Sequence, residues 1–153
     1  MSEKRRRRLK RHESLQPLSR HHMEALHLAL KLRRAGTEKS DLTLEELQQE
    51  LKNFWEPNGQ EHFREEEEIL LPTYAQYKDI NQPEIIEMLL EHVEIRSLVK
   101  QILAMDDIDE TVMHKLGELL DAHVRKEERI IFERIQKELP EDVLIELEPY
   151  LHD

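Results

Sequence analysis

The sequence predicts an all-α protein, an antiparallel up-down four-helix bundle with a short extra C-terminal helix. The 153 residues include only three Gly and six Pro, and 37% of them are charged, a composition typical of long helices. Apolar residues recur at spacings of three and four over long windows, without the sustained alternation that marks strands. Four such windows joined by short polar segments specify a bundle whose consecutive helices are antiparallel.

The first helix is predicted from about Leu15 or Leu18 to Arg34, with Gly36 as a stop signal. Its apolar residues return once per turn and should form one buried face. That face comprises Leu18, His22, Ala25, Leu26, Ala29 and Leu32.

The second helix should begin at Thr43, which can form a capping box with Glu46. Pro57 interrupts the apolar pattern, and we expect a kink or break there because proline lacks the backbone N–H and clashes with the preceding turn. The helix should resume before His62 and end at Pro72.

The remaining helices have clear start and stop signals. The third should run from a cap at Asn81, with Pro83 in its first turn, to about Ala104. The fourth should cover about residues 109–139, and a short last helix about residues 141–148. The predicted inner face of the third helix comprises Ile85, Leu89, His92, Arg96, Val99 and Leu103. That of the fourth helix comprises Val112, Leu116, Leu119, His123, Glu127, Ile130 and Arg134.

Composition limits the classes of function. The absence of cysteine excludes disulfides, thiolate metal sites and cysteine nucleophiles, so a metal would be held by His, Asp or Glu. The net charge is −11, although residues 2–12 hold seven basic side chains and one acidic side chain. We therefore divide the chain into a basic, flexible arm, residues 1–12, and an acidic bundle domain, residues 13–153. The acidic domain argues against nucleic-acid binding.

The sequence also argues against membrane association. No apolar run approaches the ~20 residues of a membrane span, and the N-terminus lacks the apolar core of a signal peptide. We therefore expect a cytoplasmic protein that does not bind membranes.

One ten-residue pattern occurs twice. Residues 62–71, HFREEEEILL, align without gaps on residues 123–132, HVRKEERIIF. Both contain His-x-x-x-Glu, which places His62 and Glu66, and likewise His123 and Glu127, one turn apart on one helix face. Such a pair can bind a cation together, or its carboxylate can bridge two cations. A cation would supply the counter-charge that a buried glutamate requires.

The other acids of the first copy should differ from Glu66. We expect Glu65, Glu67 and Glu68 to be ordinary surface charges, with Phe63 in the core beside the site. On the competing interpretation Glu66 also faces solvent and the repeat arises by chance. The presence of one histidine on the inner face of each helix favours the metal interpretation.

Together these residues resemble the hemerythrin-like family, also called the HHE cation-binding domain, over residues 11–138. The markers are residues 15–22, 62–66, 91–92 and 123–128. The resemblance implies a non-haem di-iron centre between the helices, with two Fe ions bridged by two carboxylates and by an oxo or hydroxo group. It implies binding of O2 or another small diatomic molecule or peroxide, in sensing, storage or scavenging, more than dedicated enzymatic turnover.

Carried over position by position, the implied metal ligands are His22, His62, Glu66, His92, His123 and Glu127. Two positions have alternatives. His21 precedes His22, and we choose His22 because it shares the apolar face of its helix. Oxygen-carrying members place the last acid five residues after the histidine, at Glu128, whereas helical stacking and the internal repeat favour Glu127.

Arg96 departs from the family pattern. Oxygen carriers have His-x-x-x-His on the third helix, and the second of these positions is Arg96 here, which stays protonated and cannot be a ligand. Water, His12 or Glu91 would then replace that ligand. Arg96 would pair with Glu66 or Glu127 or bind an incoming anion. The departure counts against reversible oxygen carriage.

Other interpretations stay open at this stage. Zn or Mn suits the same ligands. A ferritin-like carboxylate site needs Glu-x-x-His on two helices, and the sequence has it once, at residues 24–27. A metal-free helical interaction module would use the inner histidines as hydrogen-bonded core residues and would bind no stoichiometric metal.

Overall fold

A computed structural model describes residues 10–151, and most of the predicted basic arm lies outside these residues. Helix α1 spans Gln16–Arg33 after a 3-10 turn at Glu13–Leu15, α2 spans residues 44–75, α3 spans Pro83–Leu103, α4 spans residues 110–138, and α5 spans Glu141–Leu147 before a 3-10 turn at Glu148–Tyr150. Residues 10–151 contain no β-strand. The prediction of an all-helical bundle with a short extra helix is confirmed.

The four long helices form a closed ring in chain order. Helix α1 packs on α2, α2 on α3, α3 on α4, and α4 back on α1, which is the most extensive of these contacts. At Gly117 of α4 a Cβ atom would lie 2.8 Å from the carbonyl oxygen of Ala29. The absence of a side chain at Gly117 therefore allows α4 to approach α1 closely.

Most helix ends follow the predicted signals. Thr43 and Glu46 form the expected capping box at the start of α2, and Gly36 has a positive φ of 74° just after α1. The predicted cap of α3 at Asn81 was wrong. Gln82 is the cap instead, because Pro83 occupies the first helical position, and the backbone N–H of Asn81 donates to Asp79 Oδ1 in the preceding turn.

Of the kink or break predicted at Pro57 in α2, the break is absent, and so is the predicted stop at Pro72. Pro57 lies in a π turn, Trp55–Gly59, which the backbone N–H of Gln60 closes by donating to Trp55. A second π turn, Glu66–Leu70, precedes Pro72, and the helix continues to Ala75. The wider π turns change the local hydrogen-bond register, and the helix accommodates both prolines without ending.

A third π turn, Glu127–Ile131, lies in α4 and changes which residues are buried. The extra residue of a π turn shifts the helical phase, so Ile131 and Ile135 are buried. The predicted inner positions Ile130 and Arg134 are instead exposed and half-buried, respectively. Leu26, Leu89, Leu103, Val112 and Leu119 are also only half-buried.

Two apolar clusters fill the bundle, one on each side of a polar layer. One cluster includes Ala25 of α1 and Ile95 of α3, and the other includes Leu18 of α1 and Met88 of α3. Helix α5 closes the second cluster with Val143, Leu144 and Leu147. The histidines of α1 and α3 lie between these levels, so the polar layer is sealed by packed side chains on both sides.

Candidate metal centre

All four long helices contribute to the polar layer. Helix α1 supplies His22, α2 supplies His62 and Glu66, α3 supplies His92, and α4 supplies His123 and Glu127. Each of these residues is exposed by no more than 5%. The structure therefore brings together all six residues that the sequence singled out.

The six residues form two groups that share both glutamates. His22 and His62 belong to one group and His92 and His123 to the other, while Glu66 and Glu127 belong to both. Within each group the potential ligand atoms lie within 4.8 Å of one another. Either group could hold a cation, and each of the two glutamates is available to both groups.

The two shared carboxylates each contact imidazoles of both groups. Glu127 Oε1 lies 2.8 Å from His22 Nε2, and Glu127 Oε2 lies 2.8 Å from His123 Nε2 and 3.2 Å from His92 Nε2. Glu66 Oε2 lies 2.9 Å from His62 Nε2, and Glu66 Oε1 lies 3.1 Å from His92 Nε2. The Nε2 atoms of all four imidazoles therefore converge on the same two carboxylates.

These short distances do not all correspond to hydrogen bonds. Among residues 10–151, neither buried oxygen of Glu66 has a hydrogen-bond partner, and neither does Nε2 of His123. Buried polar atoms are normally paired. Unpaired carboxylate oxygens and an unpaired imidazole nitrogen in the same group of potential ligands fit a cation held among them, and His and Glu together form a donor set suited to iron, manganese or zinc.

The outer ring nitrogens are held by a second layer of polar residues. His22 Nδ1 donates to Glu128 Oε2 at 2.6 Å, and His92 Nδ1 donates to Glu67 Oε2 at 2.6 Å. His123 Nδ1 donates to Glu91 Oε1 at 2.8 Å. Such bonds fix the tautomer and leave Nε2 free to face the centre.

His62 has a different outer partner. Its Nδ1 lies 3.1 Å from Nδ1 of the buried His21. Of the two candidate histidines on α1, His22 thus contacts the shared glutamates, and His21 packs behind His62. On α4, Glu127 lies at the centre, whereas Glu128 bonds to His22, Ser19 and Arg11 at its edge.

The predictions for the other acids of α2 need correction. Glu67 is not an ordinary surface charge, since it binds His92 and Arg96. Glu65 is only 2% exposed, because α2 packs against neighbours on two sides and consecutive residues lie about 100° apart. Glu68 is exposed, as predicted.

The proposed substitutes for the missing histidine also lie away from the centre. His12 bonds to Ser14 and Glu141, and Glu91 holds His123 from outside. Arg96 pairs with neither Glu66 nor Glu127, since its guanidinium turns outward to Glu67.

The carboxylates strongly affect the ionisation of the histidines. Burial alone would lower the pKa of His22, but hydrogen bonds to Glu127 and Glu128 outweigh burial and raise the pKa to about 10. Burial also opposes the charge of the other two imidazoles, but Glu127, Glu66 and Glu67 raise the pKa of His92 to about 11, and the negative charge of Glu127 raises the pKa of His123 to about 9. Burial would raise the pKa of Glu127, but the surrounding histidines hold it well below its usual value. Without a cation, protons on the imidazoles thus balance the carboxylate charges.

An apolar cavity borders the layer on one side. His22, His62 and His123 line it together with Trp55 and Phe63, and it is large enough for a water-sized molecule. The ring of Trp55 meets that of Phe63 edge-on, with 5.4 Å between the ring centroids. The ring of Phe63 stacks on that of His92, with 3.8 Å between the centroids. A small uncharged ligand could therefore reach the histidines through apolar surroundings.

The fold and this layer define a helical-bundle metal-binding protein. No helix within residues 10–151 is long and apolar enough to cross a membrane. The hemerythrin HHE cation-binding domain matches residues 14–135, and the chain belongs to that family. No curated protein and no solved structure gives a significant match to the chain.

Proposed function

We propose that this protein holds two iron ions within the polar layer and uses them to bind or react with O2 or a related small molecule. His22 and His62 would bind one ion, and His92 and His123 the other. Glu66 and Glu127 would bridge the two. The observation that supports this proposal most strongly is that the two groups of potential ligands share both glutamates.

The ligand count leaves room for a small exogenous ligand. Each ion would have two imidazoles and two carboxylates from the protein, with further positions for a solvent-derived bridge and for the incoming molecule. Ferrous iron with such an open position supplies affinity for O2, related diatomic molecules and peroxide. The protein holds the imidazoles through their outer nitrogens and excludes bulk water by burial of the layer.

The surroundings favour a small and uncharged molecule. The neighbouring cavity is lined almost wholly by apolar atoms apart from the histidine edges. We infer a role in sensing, storage or scavenging of such a molecule. Arg96 stands at the position of a histidine ligand of oxygen carriers, so we place the protein outside reversible oxygen transport.

Anaerobic reconstitution tests this proposal. The metal-free protein is titrated with Fe²⁺, and bound metal is measured after separation, with optical spectra before and after exposure to O2. We expect two equivalents of iron per chain and a spectral change on O2 exposure. Absence of bound iron would refute the proposal. Parallel titrations with Zn²⁺ and Mn²⁺ test the other metals, and tight zinc binding that excludes iron would favour the zinc alternative.

A further inference from the structure

The imidazole of His92 is held on two sides. At its edge, Nδ1 donates to Glu67 Oε2 at 2.6 Å. On its face, the ring of Phe63 stacks at a centroid distance of 3.8 Å and an interplanar angle of 8°. Two independent contacts thus define both the rotation and the position of this ring.

Arg96 supports both contacts at once. Its Nη1 and Nη2 atoms donate to the two carboxylate oxygens of Glu67 at 2.9 and 3.1 Å. Its guanidinium also lies 5.5 Å from the centre of the Phe63 ring. A two-pronged bond of this kind fixes the orientation of a carboxylate as well as its position. Arg96 therefore constrains the edge and the face of His92 through Glu67 and Phe63.

The same device recurs at the equivalent position of the internal repeat. Glu128 corresponds to Glu67, and it accepts from His22 Nδ1 at 2.6 Å. Arg11 lies 3.4 Å from Glu128 Oε1, and its guanidinium lies 5.8 Å from the centre of the Phe132 ring. Phe132 in turn stacks on His22 at 5.1 Å. Imidazole, carboxylate, arginine and stacked phenyl ring thus occur twice, on opposite sides of the layer.

We propose that Glu67 and Arg96 are positioning residues that fix His92 for metal binding. This inference rests on the proposed metal centre. It gives the departure at Arg96 a role: the position that would carry a second histidine on α3 instead holds the remaining histidine in place. Each half of the centre then contains two histidines, and a glutamate–arginine pair aligns one of them. These aligned histidines are His92 in one half and His22 in the other.

Titration with Co²⁺ tests the inference, because its visible absorption reports ligand geometry as well as occupancy. Glu67→Gln and Arg96→Gln should weaken the binding of one of two equivalents by about 10- to 100-fold, the usual effect of losing an outer partner of a ligating histidine. Their Co²⁺ spectra should also differ from the wild-type spectrum. Arg96→Lys should recover part of the affinity, since lysine restores the charge but not the two-pronged bond.

Arg64→Gln provides the matched control. Arg64 lies on α2, as Glu67 does, and its Nη1 atom lies 3.7 Å from Oε1 of the exposed Glu61. Replacing Arg64 should therefore change neither the Co²⁺ affinity nor the spectrum. Far-UV circular dichroism shows whether each variant is folded. Should Glu67→Gln fail to fold, Arg96→Gln carries the test because the side chain of Arg96 is 37% exposed at the edge of the bundle.

The outcomes separate this inference from the proposed function. If the wild-type protein binds no Co²⁺ or Fe²⁺, the proposed metal centre is wrong. If the wild-type protein binds two equivalents and Glu67→Gln or Arg96→Gln matches Arg64→Gln in affinity and spectrum, the positioning role is wrong while the centre stands.

Discussion

Replacing Glu66 with glutamine should remove most of the stabilisation that metal gives to the fold. The Glu66 side chain is fully buried, and it belongs to both groups of potential ligands. Glutamine keeps the shape of the side chain and removes its negative charge, so the substitution tests ligation with little change in packing. Because one residue serves both groups, both equivalents of metal should be affected.

The size of the effect follows from the coupling of binding and folding. A ligand present at about 100 times its Kd stabilises the native state by about 2.7 kcal/mol. In a chain of this length each kcal/mol raises Tm by about 2–4 °C. Metal at that concentration should therefore raise the Tm of the wild-type protein by about 5–10 °C per equivalent, and that of Glu66→Gln by a small fraction of this amount.

Thermal unfolding followed by circular dichroism, with and without Fe²⁺ under anaerobic conditions, measures this difference. Glu68→Gln is the control, since Glu68 lies two residues further along the same helix and is exposed. It should keep the full metal-dependent rise in Tm. A rise of equal size in Glu66→Gln and wild type would show that Glu66 is not a ligand and would refute the assignment of the centre.

Three further predictions concern the same centre. Glu127→Gln should abolish metal binding, whereas Glu128→Gln should weaken it by about 10- to 100-fold; the reverse order in a metal titration would make Glu128 the ligand. The metal-free protein should lose stability as pH rises from about 6.5 towards 9. In this range His22, His92 and His123 keep their protons in the folded state and lose them in the unfolded state. The free energy of unfolding should therefore fall by about 1.4 kcal/mol per pH unit for each proton released on unfolding. Urea unfolding at several pH values checks this dependence, and constant stability over that range would contradict it. The fluorescence of Trp55, the single tryptophan, should fall on Fe²⁺ binding because its ring contacts Phe63 beside the layer; unchanged emission at full loading would place the metal elsewhere.

The fold was predictable because the helical period and the end signals agree along most of the chain. The capping box at Thr43 is an example, since it requires only residues close in sequence. The π turns were not predictable by the same means. Proline at positions 57 and 72 indicates a break when local rules alone are applied, and only packing against neighbouring helices shows that the helix continues. The exposure of Ile130 has the same origin, because Ile130 lies within the π turn Glu127–Ile131 and the phase shift of that turn is absent from a regular 3.6-residue pattern.

The centre was partly predictable for a related reason. Histidine and glutamate four residues apart lie on one face of any helix, so the spacing alone pairs His62 with Glu66. The outer partners depend on contacts between helices, and no spacing within one helix links Glu67 to His92 or Arg96. One signal was nevertheless present. Glu67 and Glu128 are equivalent in the internal repeat, as a shared role would require.

The repeat therefore encodes more than two ligands per copy. Its shared positions comprise the inner glutamate, the outer glutamate that holds a histidine of another helix, and the residues of a π turn that begins at the inner glutamate in both copies. The copies differ at the position whose neighbours depend on what bonds to Nδ1 of the copy's own histidine, His62 in the first copy and His123 in the second. In the second copy Lys126 binds Glu91, the carboxylate that holds His123. The equivalent residue of the first copy is Glu65, and there the histidine is met by another imidazole instead of a carboxylate. Because no carboxylate bonds to Nδ1 of His62, a lysine at position 65 would have no such carboxylate to neutralise. The presence of Glu65 in one copy and Lys126 in the other therefore follows from the different surroundings of His62 and His123.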